Sequence, residues 1–130
     1  TQIEKLAKSL VEKGFTVIST REPGGTFEGE EIRSLLINND IKKWDAKSEL
    51  FLHYAARSQH IQKVIKPGLE DGKWVICDRF ADSTMAYQGF GHGISLAMIQ
   101  NIESFSLENM TPALTILLDA FTIFFIRKGE

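Results

Sequence analysis

Two short apolar runs, each followed by an aspartate, constrain the fold of this chain most strongly. The first spans residues 74–77 and is followed by Asp78. The second spans residues 114–118 and is followed by Asp119. Short continuous apolar runs are typical of parallel strands that are buried on both faces. Ligands in open α/β sheets bind beyond the carboxyl ends of such strands. The pattern therefore predicts a parallel sheet with functional groups at Asp78.

The rest of the pattern alternates helices with strands. Apolar residues recur at helical spacing from the start of the chain and stop at Gly14, a residue that favours a left-handed helix end. A longer helical pattern stops at Pro67-Gly68, and β-branched residues before Pro23 indicate a strand that enters a turn. This alternation favours right-handed crossovers and a parallel α/β sheet. The patterns predict helices over residues 2–13, 28–37, 46–65 and 95–108, and strands over residues 15–20, 74–77 and 114–119.

The composition indicates one ordinary globular domain. The 130 residues include 15 Lys and Arg against 17 Asp and Glu, a net charge of −2, which disfavours binding to a nucleic acid polymer. A single cysteine, Cys77, and no sequence typical of a secretory signal favour the cytoplasm. The longest apolar run, residues 113–126, is shorter than the roughly 20 residues that a membrane span needs, and it contains Asp119. We therefore expect one cytoplasmic domain without membrane contact.

Residues 46–65 carry two stripes when they are projected at about 100° per residue. One stripe is apolar and is expected to face the core. Beside it lies a stripe of planar, hydrogen-bonding side chains, which either overhangs a cleft or forms a solvated helix face. Its histidines do not suggest a metal site, because no cysteine or carboxylate recurs at ligand spacing. The apolar stripe is Leu50, Tyr54, Ile61 and Ile65, and the polar stripe is His53, Arg57 and His60.

Three short polar segments stand where predicted elements end, and each has an ordinary structural interpretation. Asp78-Arg79 is typical of a solvated strand end, and residues 21–26 are typical of a surface turn. Residues 87–89 are typical of a helix end at which the ring of Tyr87 packs against the protein. A functional interpretation is also open. An arginine at a strand end binds phosphate through two parallel hydrogen bonds, an aspartate there orients a metal-bound water, and adjacent glycines let a ligand approach the backbone closely.

The order of four segments supports the functional interpretation. They are residues 21–26 (REPGGT), 55–60 (AARSQH), 78–80 (DRF) and 82–89 (DSTMAYQG). On these segments, and over roughly residues 1–119, the chain resembles the bacterial thymidylate kinase family. The resemblance implies a three-layer α/β/α fold with a parallel sheet, of the P-loop NTPase type found in nucleoside monophosphate kinases. It implies a single domain over residues 1–130.

The family pattern also contains two segments that this sequence does not show. In the family, a phosphate-binding P-loop precedes the position of Thr1, and an arginine-bearing lid follows the strand that ends at Asp119. Residues 120–125 do not match that continuation, whereas residues 126–129 resemble the basic helix after the lid. We therefore expect an incomplete domain, without the P-loop before Thr1 and without the lid after about Asp119.

The resemblance implies transfer of the γ-phosphoryl group of ATP to the 5′-phosphate of dTMP, giving dTDP for dTTP biosynthesis, with Mg²⁺ as cofactor. Arg79 then holds the acceptor phosphate, Asp78 orients the Mg²⁺ shell through water, and Arg57 donates to a thymine carbonyl. Thr1, which follows the P-loop in the family pattern, belongs to the ATP side. The other residues assigned to dTMP are Arg21, Glu22 and Pro23 in the acceptor loop, His53 on the thymine ring, and Thr84, Tyr87 and Gln88 around the sugar and base.

Two positions depart from the family pattern. His53 replaces a phenylalanine that stacks on thymine, and His92 replaces an arginine. An imidazole still stacks on a base, although with less apolar area. The family also suggests a homodimer in which Leu50, Tyr54 and Ile61 of the long helix pack against a second copy. Two alternatives stay open, namely another nucleotide or nucleoside kinase of the same fold and a non-catalytic remnant that binds nucleotide or a partner subunit.

Overall fold

The structure is a computed structural model that describes residues 1–37, 44–108 and 110–118. Helices and strands alternate along this part of the chain, as the sequence predicts. Within it, no helix is long and apolar enough to cross a membrane. The elements are α1 (Gln2–Glu12), β1 (Val17–Arg21), α2 (Phe27–Ile37), α3 (Ala46–His60), a π-helical turn (Ile61–Ile65), α4 (Lys66–Glu70), β2 (Trp74–Asp78), α5 (Ala81–Thr84), a π-helical segment (Met85–Gly91) and α6 (Leu96–Leu107).

The strands β1 and β2 form a parallel pair that brings both carboxyl ends to one edge. Arg21 at the end of β1 lies opposite Asp78 at the end of β2, and helices connect the two strands as a parallel pair requires. The predicted parallel sheet is therefore confirmed. The expectation that β2 is buried on both faces is wrong, since Trp74 is half exposed. The reason is that β1 is the one strand beside β2 among the described residues.

The third strand predicted over residues 114–119 is not found. Residues 114–118 have no regular secondary structure, and the side chains of Leu114 and Leu117 are mostly exposed. A strand needs a neighbour that satisfies its backbone hydrogen bonds. No strand in the described ranges lies beside this segment, which explains why the apolar run does not form one here. Asp119 and residues 120–130 lie outside the described residues.

The sequence predicts that the long helix stops at Pro67, but the helical path continues through this residue. The N–H of Lys66 donates to the carbonyl oxygen of Ile61, five residues earlier, so the chain makes a π-helical turn before the proline. Pro67 then occupies the first turn of α4. N–H groups in a first turn have no acceptor within the helix, so the N–H that proline lacks is not needed there. The helical path consequently continues to Glu70.

Helix α3 and the turn that follows it bury the apolar stripe predicted from the sequence. Leu50 and Tyr54 form a buried cluster with Ile99 of α6, so α3 is held against α6. Leu50 and Ile61 are buried inside one chain, so the expectation that they pack against a second copy is wrong for these two residues. Tyr54 also lines the groove between α3 and α6, so its contact with a second copy stays a prediction. A second cluster joins the π-helical turn to α5 and α6, and it consists of Ile61, Ile65, Ala81 and Leu107.

Candidate functional site

An open cavity of about 180 Å³ lies among residues that follow the carboxyl ends of β1 and β2 and residues of α3 and α5. This is the position at which ligands bind in open α/β sheets. Residues 22–23 follow β1, and Arg79 and Phe80 follow β2. The complete lining is Glu22, Pro23, Glu49, His53, Arg57, Arg79, Phe80, Ser83, Thr84, Tyr87, Gln88 and His92.

A buried hydrogen-bonded network forms one wall of the cavity. The Nε of Arg57 donates to Oε2 of Glu22 at 2.6 Å, and Nη2 of Arg57 donates to Oγ1 of Thr84 at 2.9 Å. The Nη1 of Arg57 is buried and has no hydrogen-bond partner among the described residues. A buried cation needs a paired anion, which Glu22 supplies. The network therefore fixes a guanidinium group whose Nη1 atom stays without a partner among the described residues.

The guanidinium of Arg57 also lies over two aromatic rings. Its Cζ atom is 4.9 Å from the ring centroid of Tyr54 and 5.3 Å from that of Phe80. Both distances are within the range of cation–π attraction. Phe80 directly follows Arg79 in the DRF segment, so this segment supports the cation of α3 as well as lining the cavity. These contacts restrict the plane in which the unused Nη1 donor lies.

Arg79 has an unusual backbone conformation at the end of β2. Its φ of 67° lies in the left-handed region, which is uncommon for residues other than glycine. Such conformations cluster at binding sites. The Nε of Arg79 donates to Oγ of Ser83 at 3.4 Å, and its Cζ lies 4.7 Å from the ring centroid of Tyr87. The side chain is thus held beside the cavity by one hydrogen bond and one cation–π contact.

His53 lies one helical turn before Arg57 and lines the cavity. Burial lowers the pKa of His53 below its ordinary value of 6.5, and the positive charge of Arg57 lowers it further. A buried imidazole next to a cation disfavours its own charged form. The ring is therefore neutral at pH 7 and offers an uncharged planar face.

Four more residues line the cavity although they were not predicted as site residues: Glu49, Phe80, Ser83 and His92, the last of which departs from the family pattern. Oε1 of Glu49 accepts a hydrogen bond from Nε2 of Gln88 at 3.0 Å and lies 3.9 Å from the Nε2 atoms of both His53 and His92. The signal for Glu49 was available, because it precedes His53 by four residues and so shares its helix face.

Three residues predicted from the family resemblance lie outside the cavity lining. Nη2 of Arg21 is 3.0 Å from Oε2 of Glu30, and this pair stabilises the loop after β1, because Oε1 of Glu30 also accepts from the N–H of Gly25. Asp78 is exposed at the end of β2. Thr1 is the N-cap of α1, and its hydroxyl accepts from the N–H of Glu4. The structure brings together the other eight predicted residues: Glu22, Pro23, His53, Arg57, Arg79, Thr84, Tyr87 and Gln88.

One cluster has ligand atoms at metal-binding distances, yet its contacts disfavour a metal ion. Ligand atoms of Glu22, His60 and Cys77 lie within 4.8 Å of one another. Burial raises the pKa of the Cys77 thiol, which opposes formation of the thiolate that a metal needs. Glu22 is already paired with Arg57, whose positive charge repels a cation. Glu22 and His60 therefore belong to the hydrogen-bonded network, whereas the Cys77 thiol donates to the carbonyl oxygen of Arg79.

The parallel pair of β1 and β2, joined through helices and with a cavity at its carboxyl ends, belongs to the class of open α/β proteins that bind ligands beyond their strand ends. The model of the thymidylate kinase family matches residues 1–123, and the chain belongs to that family.

Similar proteins support this membership. The chain is 49% identical over 119 residues to a thymidylate kinase of Ruthia magnifica, covering 92% of this chain and 58% of the relative. It is 43% identical to one of Exiguobacterium sibiricum, covering 92% of this chain and 56% of the relative. The crystal structure of thymidylate kinase from Ehrlichia chaffeensis superimposes with a TM-score of 0.78 at 42% identity, covering 85% of this chain and 62% of that chain. The predicted fold class is confirmed, and the chain spans little more than half the length of these curated relatives.

Proposed function

We propose that this chain carries the acceptor site of a kinase that transfers the γ-phosphoryl group of ATP to dTMP, giving dTDP for dTTP biosynthesis. The observation that carries the proposal is that Arg57 lines the cavity and that its buried Nη1 has no hydrogen-bond partner among the described residues. A buried, unpartnered N–H of a cation is costly unless a ligand supplies an acceptor. Thymine presents a carbonyl oxygen at the edge where cytosine presents an amino group, so Arg57 selects thymine.

Neighbouring residues complete recognition of the nucleotide. His53 stacks on the thymine ring with its neutral imidazole. Gln88, held by Glu49, reads the polar edge of the base, and Thr84 fixes Arg57 from the other side. Tyr87 lies under Arg79 and packs against the sugar, where it disfavours a 2′-hydroxyl. The cavity thus combines the charged donor of Arg57 with the planar rings of His53 and Tyr87.

Phosphoryl transfer depends on alignment of the two reacting phosphates and on neutralisation of their negative charge. Arg79, at the end of β2, is suited to both tasks. Arg79 binds the acceptor phosphate and opposes the negative charge that develops during transfer. Asp78 offers the carboxylate oxygen that Mg²⁺ prefers, and we assign to it the orientation of the Mg²⁺ water shell. Mg²⁺, when bound, neutralises charge on the phosphate oxygens.

Thr1 belongs to the ATP side, and Arg21 acts on dTMP indirectly by holding the acceptor loop through Glu30. ATP and dTMP are cytoplasmic metabolites, which supports the cytoplasm as the place of action.

Calorimetric titration with dTMP, dUMP, dCMP and dGMP tests this proposal. We expect dTMP to bind most tightly, because among the pyrimidines only thymine and uracil carry a carbonyl oxygen where cytosine carries an amino group, and thymine adds a methyl group. Equal or tighter binding of dGMP would contradict the assignment of the base. Tight binding of dCMP instead of dTMP would favour another nucleotide kinase of the same fold.

The partner surface for a homodimer is the groove between α3 and α6. It exposes Phe51 and Phe105, the latter 87% exposed, and large exposed apolar side chains that share a groove are typical of protein contacts. Sedimentation velocity should show a dimer that Phe105→Asp converts to a monomer. The matched control is Phe27→Asp, since Phe27 is also strongly exposed but lies on α2, away from the groove. A monomeric unmodified chain would contradict this part of the proposal.

A further inference from the structure

His60 is fully buried at the end of α3, although no step described above uses it. The exposed fraction of its side chain is 0%. Its Nδ1 lies 3.0 Å from Oε1 of Glu22, and its Nε2 lies 2.6 Å from Oγ1 of Thr20 on β1. The two oxygens of the Glu22 carboxylate are therefore divided between His60 and Arg57. The imidazole links the strand to the carboxylate that holds the base-recognising arginine.

The chemistry of the partners fixes where the imidazole proton must be. An ionised carboxylate accepts hydrogen bonds and donates none, so Nδ1 of His60 carries the proton that is donated to Glu22. In the neutral ring Nε2 then accepts from the hydroxyl of Thr20. Both ring nitrogens and both carboxylate oxygens are satisfied by this arrangement, as buried polar groups require.

The loop after β1, which contains Gly24 and Gly25, packs closely against the imidazole of His60. A Cβ atom on Gly25 would lie 2.6 Å from both Cδ2 and Nε2 of His60 and 2.8 Å from Oγ1 of Thr20. Gly25 also has a φ of 81°, a conformation that glycine adopts without strain. The loop after β1 therefore closes tightly on the edge of His60, which leaves the ring little room to rotate away from Glu22.

We infer that His60 is a positioning residue for base recognition, acting through Glu22 to hold the guanidinium of Arg57 in the orientation that presents Nη1 to a pyrimidine carbonyl oxygen. The inference rests on the proposed function, because it concerns the same cavity. His60 does not touch the ligand in this account. Its effect is confined to the contact that distinguishes a carbonyl group from an amino group on the base.

Two substitutions separate the two hydrogen bonds of His60. The amide nitrogen of asparagine takes the place of Nδ1, so His60→Asn keeps the donor to Glu22 and loses the contact to Thr20. The amide of glutamine reaches the place of Nε2, so His60→Gln keeps the contact to Thr20 and loses the donor to Glu22. Each variant removes part of the buried ring, so they serve as controls for each other.

The probe is a matched pair of nucleotides, dTMP and 5-methyl-dCMP. In the second base an amino group replaces a carbonyl oxygen, and the adjacent ring nitrogen loses its proton. Calorimetry on the unmodified chain and both variants gives the affinity ratio for the pair. We expect His60→Gln to lower the preference for dTMP by about tenfold, as for loss of a hydrogen bond to a charged group, and His60→Asn to keep most of it. Equal ratios in the two variants would overturn the inference, even if both melt at lower temperatures.

A second measurement does not depend on how the variants fold. ¹⁵N NMR of the unmodified chain should show a proton on Nδ1 of His60, and a ring without that proton would overturn the inference. Failure of the proposed function has a different signature. In that case the unmodified chain itself would show no preference for dTMP over 5-methyl-dCMP, whatever the variants do.

Discussion

Arg57 and Glu22 form an ion pair with Nε 2.6 Å from Oε2, and the exposed fractions of the two side chains are only 3% and 4%. Glu22 comes from the loop after β1, and Arg57 comes from the middle of α3. The pair therefore joins two elements that are distant in sequence at the wall of the cavity. Since both charges are shielded from water, removing either one leaves the other uncompensated.

Glu22→Gln should lower the free energy of unfolding strongly, by about 3–5 kcal/mol, because it leaves the cation of Arg57 buried without its anion. Affinity for dTMP should fall at the same time. Urea denaturation and calorimetry measure the two effects. Glu12→Gln is the control, since Glu12 pairs with Lys8 on the exposed surface of α1 and should change neither quantity much. A stable Glu22→Gln chain with normal dTMP affinity would contradict the role given to this pair.

His53→Phe should keep or improve affinity for dTMP, whereas His53→Ala should weaken it by about 1–3 kcal/mol, the usual contribution of a ring that stacks on a base. Phe51→Ala is the matched control, because Phe51 lies on the same helix but faces the groove between α3 and α6. Calorimetric titration measures all three. If the alanine variant binds dTMP as tightly as the phenylalanine variant, His53 has no part in stacking.

The lowered pKa of His53 predicts a particular pH dependence of stability. Below about pH 6.5, the ordinary value, the unfolded chain takes up a proton that the buried His53 does not, so stability falls as the pH decreases. His53→Phe removes this contribution and leaves the acidic residues unchanged. Urea denaturation at about pH 7.5 and about pH 5.5 should therefore show a smaller loss of stability in the variant. Equal losses would mean that His53 titrates normally in the folded chain.

Arg79→Lys should lower affinity for dTMP by at least about tenfold, because lysine keeps the charge but loses the planar pair of donors that binds phosphate. Affinity for thymidine, which has no phosphate, should hardly change. The comparison is made by calorimetry on one folded variant, with its melting temperature recorded. A lower melting temperature together with normal dTMP affinity would indicate a structural arginine instead of a phosphate-binding one.

Much of the cavity could be predicted from the sequence because its residues lie in short segments at element ends. The order of the motifs and the family resemblance that it carries predicted that Glu22, Arg57 and Arg79 share one site, without knowledge of the distances between them. The projection of the long helix correctly separated its buried apolar stripe from the stripe that contains Arg57 and His60. The alternative of a solvated helix face is wrong for these two residues, because Glu22 and Thr84 supply hydrogen-bond partners in the interior.

Other features depend on contacts that sequence patterns do not encode. Residues 114–118 have the composition of a buried strand, but a strand also needs a neighbour, and none of the described strands is beside them. Pro67 is a helix breaker by its local chemistry, yet the π-helical turn before it removes the conflict. The departure of Arg21 from the cavity lining follows from its ion pair with Glu30, a partner nine residues away in the next helix.

A crystal structure of the chain with dTMP would show whether Arg57 recognises the base. We expect a carbonyl oxygen of thymine within hydrogen-bond distance of Nη1 of Arg57, the imidazole of His53 against the base, and the 5′-phosphate at Arg79. A nucleotide bound in the groove between α3 and α6, or one in the cavity with its base directed away from Arg57, would contradict this expectation.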